Sequence, residues 1–213
     1  MKKIFPLFLL ILLLASCQKE PDLSKLDNDF LVFTNYDKNA NFGSYNTFYV
    51  PDSVLVITGN EKPQYWTANE ADDIITTMVN TMESRGYVRT IDKAAASLGL
   101  QVSYVENVNF FYNYDSNDYW WWGYPGYWGP GYWGNGWNSW YYPYPVVYSY
   151  SVGSLLTEMV DLTAKPSKDT TTKLPIVWTA YMSGLLSGSD KVDVQLCQNA
   201  VVQSFLQSPY IKK

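Results

Sequence analysis

Residues 67–104 read TANEADDIITTMVNTMESRGYVRTIDKAAASLGLQVSY, a helical repeat followed by a strand repeat. Apolar side chains recur at helical spacing in its first half, at Ala71, Ile74, Ile75, Met78 and Met82. Thr67 and Glu70 fit a capping box at the start of this helix. Arg85 suits the negative end of the helix dipole, and Gly86 favours the left-handed conformation that ends a helix. The pattern predicts one amphipathic helix with a buried stripe.

Residues 97–104 change to a period of two, which is the repeat of a β-strand. Leu98, Leu100, Val102 and Tyr104 alternate with small or polar side chains. One face of this strand is therefore predicted to be buried and the other solvated. The strand pattern continues irregularly to about residue 114.

The rest of the chain supplies four more strands and a second helix. Short β-prone runs predict strands at residues 30–34, 45–50, 152–162 and 174–181. Residues 163–173 are the predicted hairpin loop before the last of them. A helix is predicted over residues 190–207, and its core stripe is Val194, Cys197, Val201 and Phe205, broadened by Leu196, Ala200 and Leu206. The predicted fold is α+β: an antiparallel or mixed sheet of about five strands, two helices on one face, and a long insertion between the middle strands.

That insertion, residues 119–150, is rich in aromatic residues and glycine and has no charged side chain. It holds seven of the nine Trp residues and nine of the 19 Tyr residues. Such rings are costly to leave in water, so they pack either on their own sheet or on a protein, a glycan or lipid headgroups. The candidate contact residues are Trp120, Trp121, Trp122, Tyr127, Trp128, Tyr132, Trp133, Trp137 and Trp140.

The first residues have the pattern of a secretory signal peptide. A basic start, a short apolar run and small residues precede Cys17, so residues 1–16 are predicted to be cleaved. Residues 14–17, Leu-Ala-Ser-Cys, resemble the bacterial lipobox, which implies that Cys17 is lipidated. Residues 17–29 form a polar tether, and residues 30–213 form a single domain. Residues 18–22 resemble an export signal to the cell surface, or they are a plain linker.

Charge and composition argue against several classes of function. After loss of the signal peptide, 13 basic side chains face 20 acidic ones, a net charge of −7 that disfavours nucleic acid. The chain has no His, the usual general base and the commonest zinc ligand. We predict no enzymatic activity, no cofactor and no metal, although Asp72, Asp73, Glu158 and Asp161 are formally available as a carboxylate pair. Glu158 and Asp161 are interpreted as strand-end carboxylates that face water.

Cys197 is the only thiol that lipidation of Cys17 would leave. It lies on the apolar stripe of the second predicted helix, and we interpret it as a small buried hydrophobe.

Five motifs in order resemble the bacterial envelope lipoproteins called domain of unknown function 4136. They are FGSYNTF at residues 42–48, RGY at 85–87, the strand at 94–104, GSLLTEMVD at 153–161 and IVWTA at 176–180. Ser97 stands where the family usually has an acid. The resemblance covers about residues 29–210 and implies an α+β envelope lipoprotein without a catalytic residue. Tyr87 and Trp178 are predicted core aromatics.

These observations predict a membrane-anchored envelope lipoprotein of the outer membrane of a Gram-negative bacterium, facing the surface or the periplasm. Its partners are the membrane, through the lipid, and an envelope protein or polysaccharide. Three functions remain open: a non-enzymatic binding module that uses the insert, a structural lipoprotein whose insert only packs, and a glycan-binding or glycan-acting surface lipoprotein.

Overall fold

A mixed β-sheet forms the centre of the fold in this computed structural model. Its strands are β1 (Leu31–Tyr36), β2 (Thr47–Tyr49), β3 (Val54–Ile57), β4 (Gln64–Trp66), β5 (Val88–Arg89), β6 (Leu98–Val105), β7 (Ser139–Tyr141), β8 (Ser154–Asp161) and β9 (Lys173–Ser183). The helices are α1 (Glu70–Ser84) and α2 (Asp190–Leu206). The structure describes residues 30–58, 64–66, 70–106, 129–134, 136–137, 139–144, 151–165, 173–187 and 190–213.

The sheet has an antiparallel half and a parallel half that meet at β6. Strands β1, β9, β8 and β6 are neighbours in that order, and each pair is antiparallel. On its other edge, β6 pairs in parallel with β2 near its start and with β3 near its end. Helix α1 lies in the connection between the parallel strands β3 and β6, which need such a crossover.

The α+β prediction with a mixed sheet and two helices is confirmed, and the five predicted strands correspond to β1, β2, β6, β8 and β9. Strands β8 and β9 form the predicted antiparallel hairpin. Strands β3, β4, β5 and β7 were not predicted from the sequence. They have two to four residues each, too few for a period of two to be recognised, whereas the three-residue β2 was predicted because it lies within the longer β-prone run at residues 45–50. Residues 107–114 of the predicted continuation of β6 lie outside the described residues.

Both helices pack on the same face of the sheet and share one hydrophobic core. The predicted α1 stripe is buried, as are Cys197, Ala200, Val201 and Phe205 of α2. Trp178 and Tyr87 are buried as predicted, and the Trp178 and Phe205 rings are 5.1 Å apart. Leu206 was predicted to broaden the α2 stripe, and that prediction is wrong: the side chain is exposed. It follows Phe205 and points about 100° away from it around the helix.

Arg85 interacts with a different helix from the one the sequence suggested. Helix α1 ends at Ser84, and the Arg85 guanidinium donates to the carbonyl oxygens of Ser208 and Ile211 at 3.0 and 2.9 Å and to that of Phe205. It therefore satisfies one carbonyl oxygen in the last turn of α2 and two in the residues that follow the helix. Gly86 has φ +96°, the predicted left-handed conformation. The Thr67 cap lies outside the described residues.

Cys197 is a buried thiol, and burial raises its pKa to about 12. Because the thiolate is the reactive form, we expect no measurable reaction of the native protein with a disulfide reagent at pH 8. In denaturant, the mature lipoprotein is expected to react with one equivalent. Fast modification of the native protein at the same pH would contradict this placement of Cys197.

Candidate functional site: the insert-covered face of the sheet

The face of the sheet opposite the helices is also buried. All eight residues of β6 are buried, so the prediction that one face of this strand is solvated is wrong. The described residues of the aromatic insertion, 129–134, 136–137 and 139–144, are its second part. They cover this face and form a second apolar cluster with the strands. The buried members of this insert-side core are Leu55, Ile57, Val105, Trp133, Trp140, Tyr144, Leu156, Val160, Leu174 and Ile176.

Trp133 packs directly on the sheet. A Cβ added at Gly99 would lie 2.3 Å from the Trp133 ring, so the indole packs directly on the glycine backbone. A short 3-10 turn at Pro130–Trp133 presents this side chain. Trp140 belongs to β7, which pairs in parallel with the start of β9. The described part of the insertion is therefore fixed at two points along the sheet.

A row of polar side chains lies beneath this aromatic cover. Gln101, Glu158 and Thr179 are directly opposite one another on β6, β8 and β9, so they share one face. Glu158 is only 1% exposed, which corrects the interpretation that its carboxylate faces water. The physical reason is the insertion, which removes this face from solvent.

Hydrogen bonds connect that row to the insertion. Gln101 Nε2 donates to Glu158 Oε2 at 2.6 Å, and Trp133 Nε1 donates to Gln101 Oε1 at 3.3 Å. The Tyr142 hydroxyl donates to Glu158 Oε1. The carboxyl group thus accepts one bond from the sheet and one from the insertion, as a buried carboxyl requires. Beside it, the buried Thr179 Oγ1 has no hydrogen-bond partner among the residues that the structure describes.

A lysine and two tyrosines hold the 3-10 turn of the insertion. Lys93 Nζ lies 3.7 Å from the centre of the Tyr132 ring and donates to the Tyr132 carbonyl oxygen. The Tyr132 and Tyr49 hydroxyls are 3.2 Å apart. Burial lowers the pKa of Lys93 and raises that of Tyr132. A cation over an aromatic face is a stabilising contact when it is partly desolvated.

The tyrosine pKa values predict a loss of stability in alkali. Burial raises the pKa of Tyr45, Tyr104 and Tyr132, and it raises that of Tyr87 to about 12. A raised folded pKa stabilises the native state fully below the unfolded value of about 10, and the stabilisation is lost as the pH rises through the folded pKa. We expect the urea midpoint to fall between pH 10 and pH 12. An unchanged midpoint across that window would contradict the burial of these phenols.

The structure places four of the predicted contact residues. Trp133 and Trp140 are buried, whereas Tyr132 and Trp137 are partly buried against the insert-side core. Tyr141, which the sequence did not single out, is an exposed ring of the same segment. Cys17 and the remaining predicted contact residues, Trp120, Trp121, Trp122, Tyr127 and Trp128, lie outside the described residues.

The sequence did not indicate Gln101, Tyr142 or Lys93 as part of this site. One local signal was available: Gly99 interrupts an alternating strand, which marks a close approach of another group to the backbone. The partners themselves are 16 to 57 positions apart along the chain, so only the fold brings them together.

The carboxylates considered as a pair are distributed over different parts of the fold. Asp72 and Asp73 are exposed on α1, on the helix side of the sheet. Asp161 interacts with Tyr45, which belongs to the core between the sheet and the two helices (the helix-side core). Glu158 instead faces the insertion. Among the described residues, no three His, Cys, Asp or Glu side chains are grouped to hold a metal ion.

The N-terminal residues define the class of protein. A prokaryotic membrane lipoprotein lipid attachment site matches residues 1–18, which include Cys17. The protein is therefore a membrane-anchored lipoprotein with an α+β domain. Neither helix in the described part of the chain has the length and apolarity to cross a membrane.

The domain belongs to the family described as domain of unknown function (DUF4136), whose model matches residues 32–210. A crystal structure of a DUF4136 family protein from Bacteroides thetaiotaomicron VPI-5482 is similar, with 48% sequence identity and a TM-score of 0.79. The match covers 87% of this chain and 99% of that one. None of the curated proteins compared matches the chain. The resemblance seen in the five sequence motifs is thus confirmed.

Proposed function

We propose that this lipoprotein is a non-enzymatic binding or structural module of the cell envelope that makes its contacts through the aromatic insertion. The observation that carries the proposal is the fixation of the described residues between 129 and 144 on the sheet by Trp133, Trp140 and Tyr142. This segment gives the insertion a firm base. Trp128 directly precedes it in the chain, and Trp120, Trp121 and Trp122 come shortly before.

The chemistry of those residues favours a protein or polysaccharide partner. Trp and Tyr combine a large apolar ring with one polar group, and they are enriched where proteins bind one another. The acidic balance of the chain disfavours nucleic acid. A glycan-binding surface lipoprotein is the alternative, because rings that stack on sugars use the same side chains. A glycan-acting enzyme would need two cooperating carboxylates, and Asp72, Asp73 and Asp161 lie away from the face that holds Glu158.

For location, we propose lipidation at Cys17 and residence in the outer membrane. The matched attachment site supports the lipid anchor, and the similarity of residues 18–22 to an export signal favours the cell surface. The periplasmic face remains the alternative if these residues are only a linker. Protease treatment of intact cells separates the two, because only a surface-exposed domain would be degraded.

A triple variant tests whether the insertion is the contact surface. Trp120→Ala, Trp121→Ala and Trp122→Ala together are expected to reduce recovery of the partner from solubilised membranes by more than about tenfold, since aromatic side chains dominate binding energy. On this proposal the three rings serve binding and not packing, so the free energy of unfolding should change by less than about 0.5 kcal/mol. Pull-down of the full-length lipoprotein with quantitative mass spectrometry gives the first value, and urea denaturation gives the second.

Tyr141→Ala is the matched control, because Tyr141 is an exposed ring in the fixed segment of the insertion. It should keep both the partner and the stability. If the triple variant is strongly destabilised, the insertion is only a packing element. If the triple variant folds and recovers the same proteins as the wild type, the proposed contact surface is wrong. A glycan array binding signal lost in the triple variant would favour the glycan-binding alternative.

A further inference from the structure

The start of β1, the end of β9 and the turn before β8 lie at the same end of the sheet. Leu31, the first residue of β1, pairs with Ser183, the last residue of β9. The turn before β8 joins them, because Gly153 N donates to Val105 O at 2.8 Å and Leu185 N donates to Gly153 O at 3.0 Å. We call this end of the sheet the β1 end.

Three apolar side chains at the β1 end are exposed to solvent. Leu31 is 63% exposed, Leu186 is 51% exposed and Val152 is 39% exposed. Leu186 packs against the turn that carries Val152, since a Cβ at Gly153 would be 2.4 Å from Leu186 Cγ. We call these three residues the apolar patch. They lie on two turns and a strand start, and backbone hydrogen bonds hold these segments together.

The lipid anchor joins the domain at this same end. The chain runs from the attachment site within residues 1–18 to Leu31 at the start of β1. About a dozen residues separate Cys17 from Leu31, and a coil of that length has a root-mean-square extent of about 20 Å. The β1 end is thus the part of the domain that the anchor keeps closest to the bilayer.

We propose that the β1 end docks on the bilayer surface, with Leu31, Val152 and Leu186 inserted at the headgroup level. The anchor supplies a high local concentration of lipid, so a small apolar patch is sufficient for docking. Glu106 follows β6 at this end, and Asp193 accepts a hydrogen bond from Ser187 near it. These acids favour a zwitterionic rather than an anionic lipid surface. The inference depends on the lipid anchor and does not require the insertion to bind a partner.

Spin labels on the mature, lipidated protein in vesicles of phosphatidylcholine and phosphatidylethanolamine test the docking. One label is attached at Val152→Cys and a matched one at Ile91→Cys. Ile91 is 94% exposed and lies at the opposite end of the sheet, next to Thr90, which bonds to Phe48 beside the start of β6. The thiol of Cys197 is buried and does not compete for the label.

We expect the label at position 152 to lose accessibility to a water-soluble nickel reagent and to gain accessibility to oxygen, while the label at position 91 stays in water. Leu31→Ser in the Val152→Cys background should lower the docked-to-undocked ratio by roughly tenfold. Equal nickel accessibility at positions 152 and 91 would overturn the proposal, and so would a docked label that Leu31→Ser leaves unchanged. The triple Trp variant should leave both labels unaffected, which separates this result from the test of the insertion.

Discussion

Replacing Trp133 by alanine is expected to lower the free energy of unfolding by about 3–5 kcal/mol, the range for truncating a large buried aromatic. The ring is a buried member of the insert-side core, it packs on Gly99, and its indole donates to Gln101. The substitution would leave a cavity and remove one hydrogen bond to Gln101 Oε1. Urea denaturation followed by far-ultraviolet circular dichroism measures the change, with Tyr141→Ala as a control expected within about 0.5 kcal/mol of the wild type.

A double-mutant cycle with Gly99 tests the contact itself. Gly99→Ala alone should cost about 1–3 kcal/mol, because its Cβ overlaps the Trp133 ring. In the Trp133→Ala background, much of this cost should disappear, although Val160 Cγ2 at 2.8 Å still opposes the new methyl group. Equal costs of Gly99→Ala in both backgrounds would show that Trp133 does not lie on this glycine.

Removing the carboxyl group of Glu158 is expected to be the second large effect. Glu158→Leu leaves the Gln101 amide and the Tyr142 hydroxyl without their common acceptor inside a buried region. Each hydrogen bond to this buried carboxyl group is worth about 1–3 kcal/mol, so we expect a total loss of about 2–5 kcal/mol in the urea experiment.

Glu158→Gln is the matched variant, since it keeps the shape of the side chain and one oxygen acceptor. Its expected loss is smaller, about 1–2 kcal/mol, because one of the two hydrogen bonds can remain. If Glu158→Leu proved as stable as the wild type, the carboxyl group would not connect the insertion to the sheet in the way described.

Both helices and five of the strands follow from local pattern, and their existence was predicted correctly. The α1 stripe and strands β1, β2, β6, β8 and β9 depend on the spacing and type of residues along the chain, which the sequence displays directly. Gly86 was assigned its left-handed conformation because a helix end requires it at that position.

The contacts that depend on distant parts of the chain could not be predicted. The partners of Arg85 lie 120 to 126 positions away, so its role at the end of α2 follows only from the packing of the helices. The burial of Glu158 depends on strand register together with an aromatic cover whose docking the composition did not specify. The alternation in β6 was correctly recognised as a strand, but it was wrongly taken to mean that one face meets water.

The candidate site was also predicted only in part: its aromatic segment was recognised from the sequence, but its polar contacts were not. The sequence identified the aromatic insertion as the unusual feature of this chain, and the structure shows that its described part builds a second core. The hydrogen bonds of Gln101, Tyr142 and Glu158 were missed because polar residues on strands are ordinarily solvent-facing.

Hydrogen exchange of the tryptophan indole groups tests the central claim, that the second part of the insertion is a structural layer fixed on the sheet. In the intact lipoprotein labelled with nitrogen-15 at tryptophan, and assigned with single Trp→Phe variants, Nε1–H of Trp133 and Trp140 should be protected from exchange. Their protection should approach that of Trp178, whose Nε1 donates to Ser208 Oγ at 2.9 Å in the helix-side core. Exchange of the Trp133 and Trp140 indoles as fast as that of free tryptophan, with Trp178 still protected, would contradict the claim.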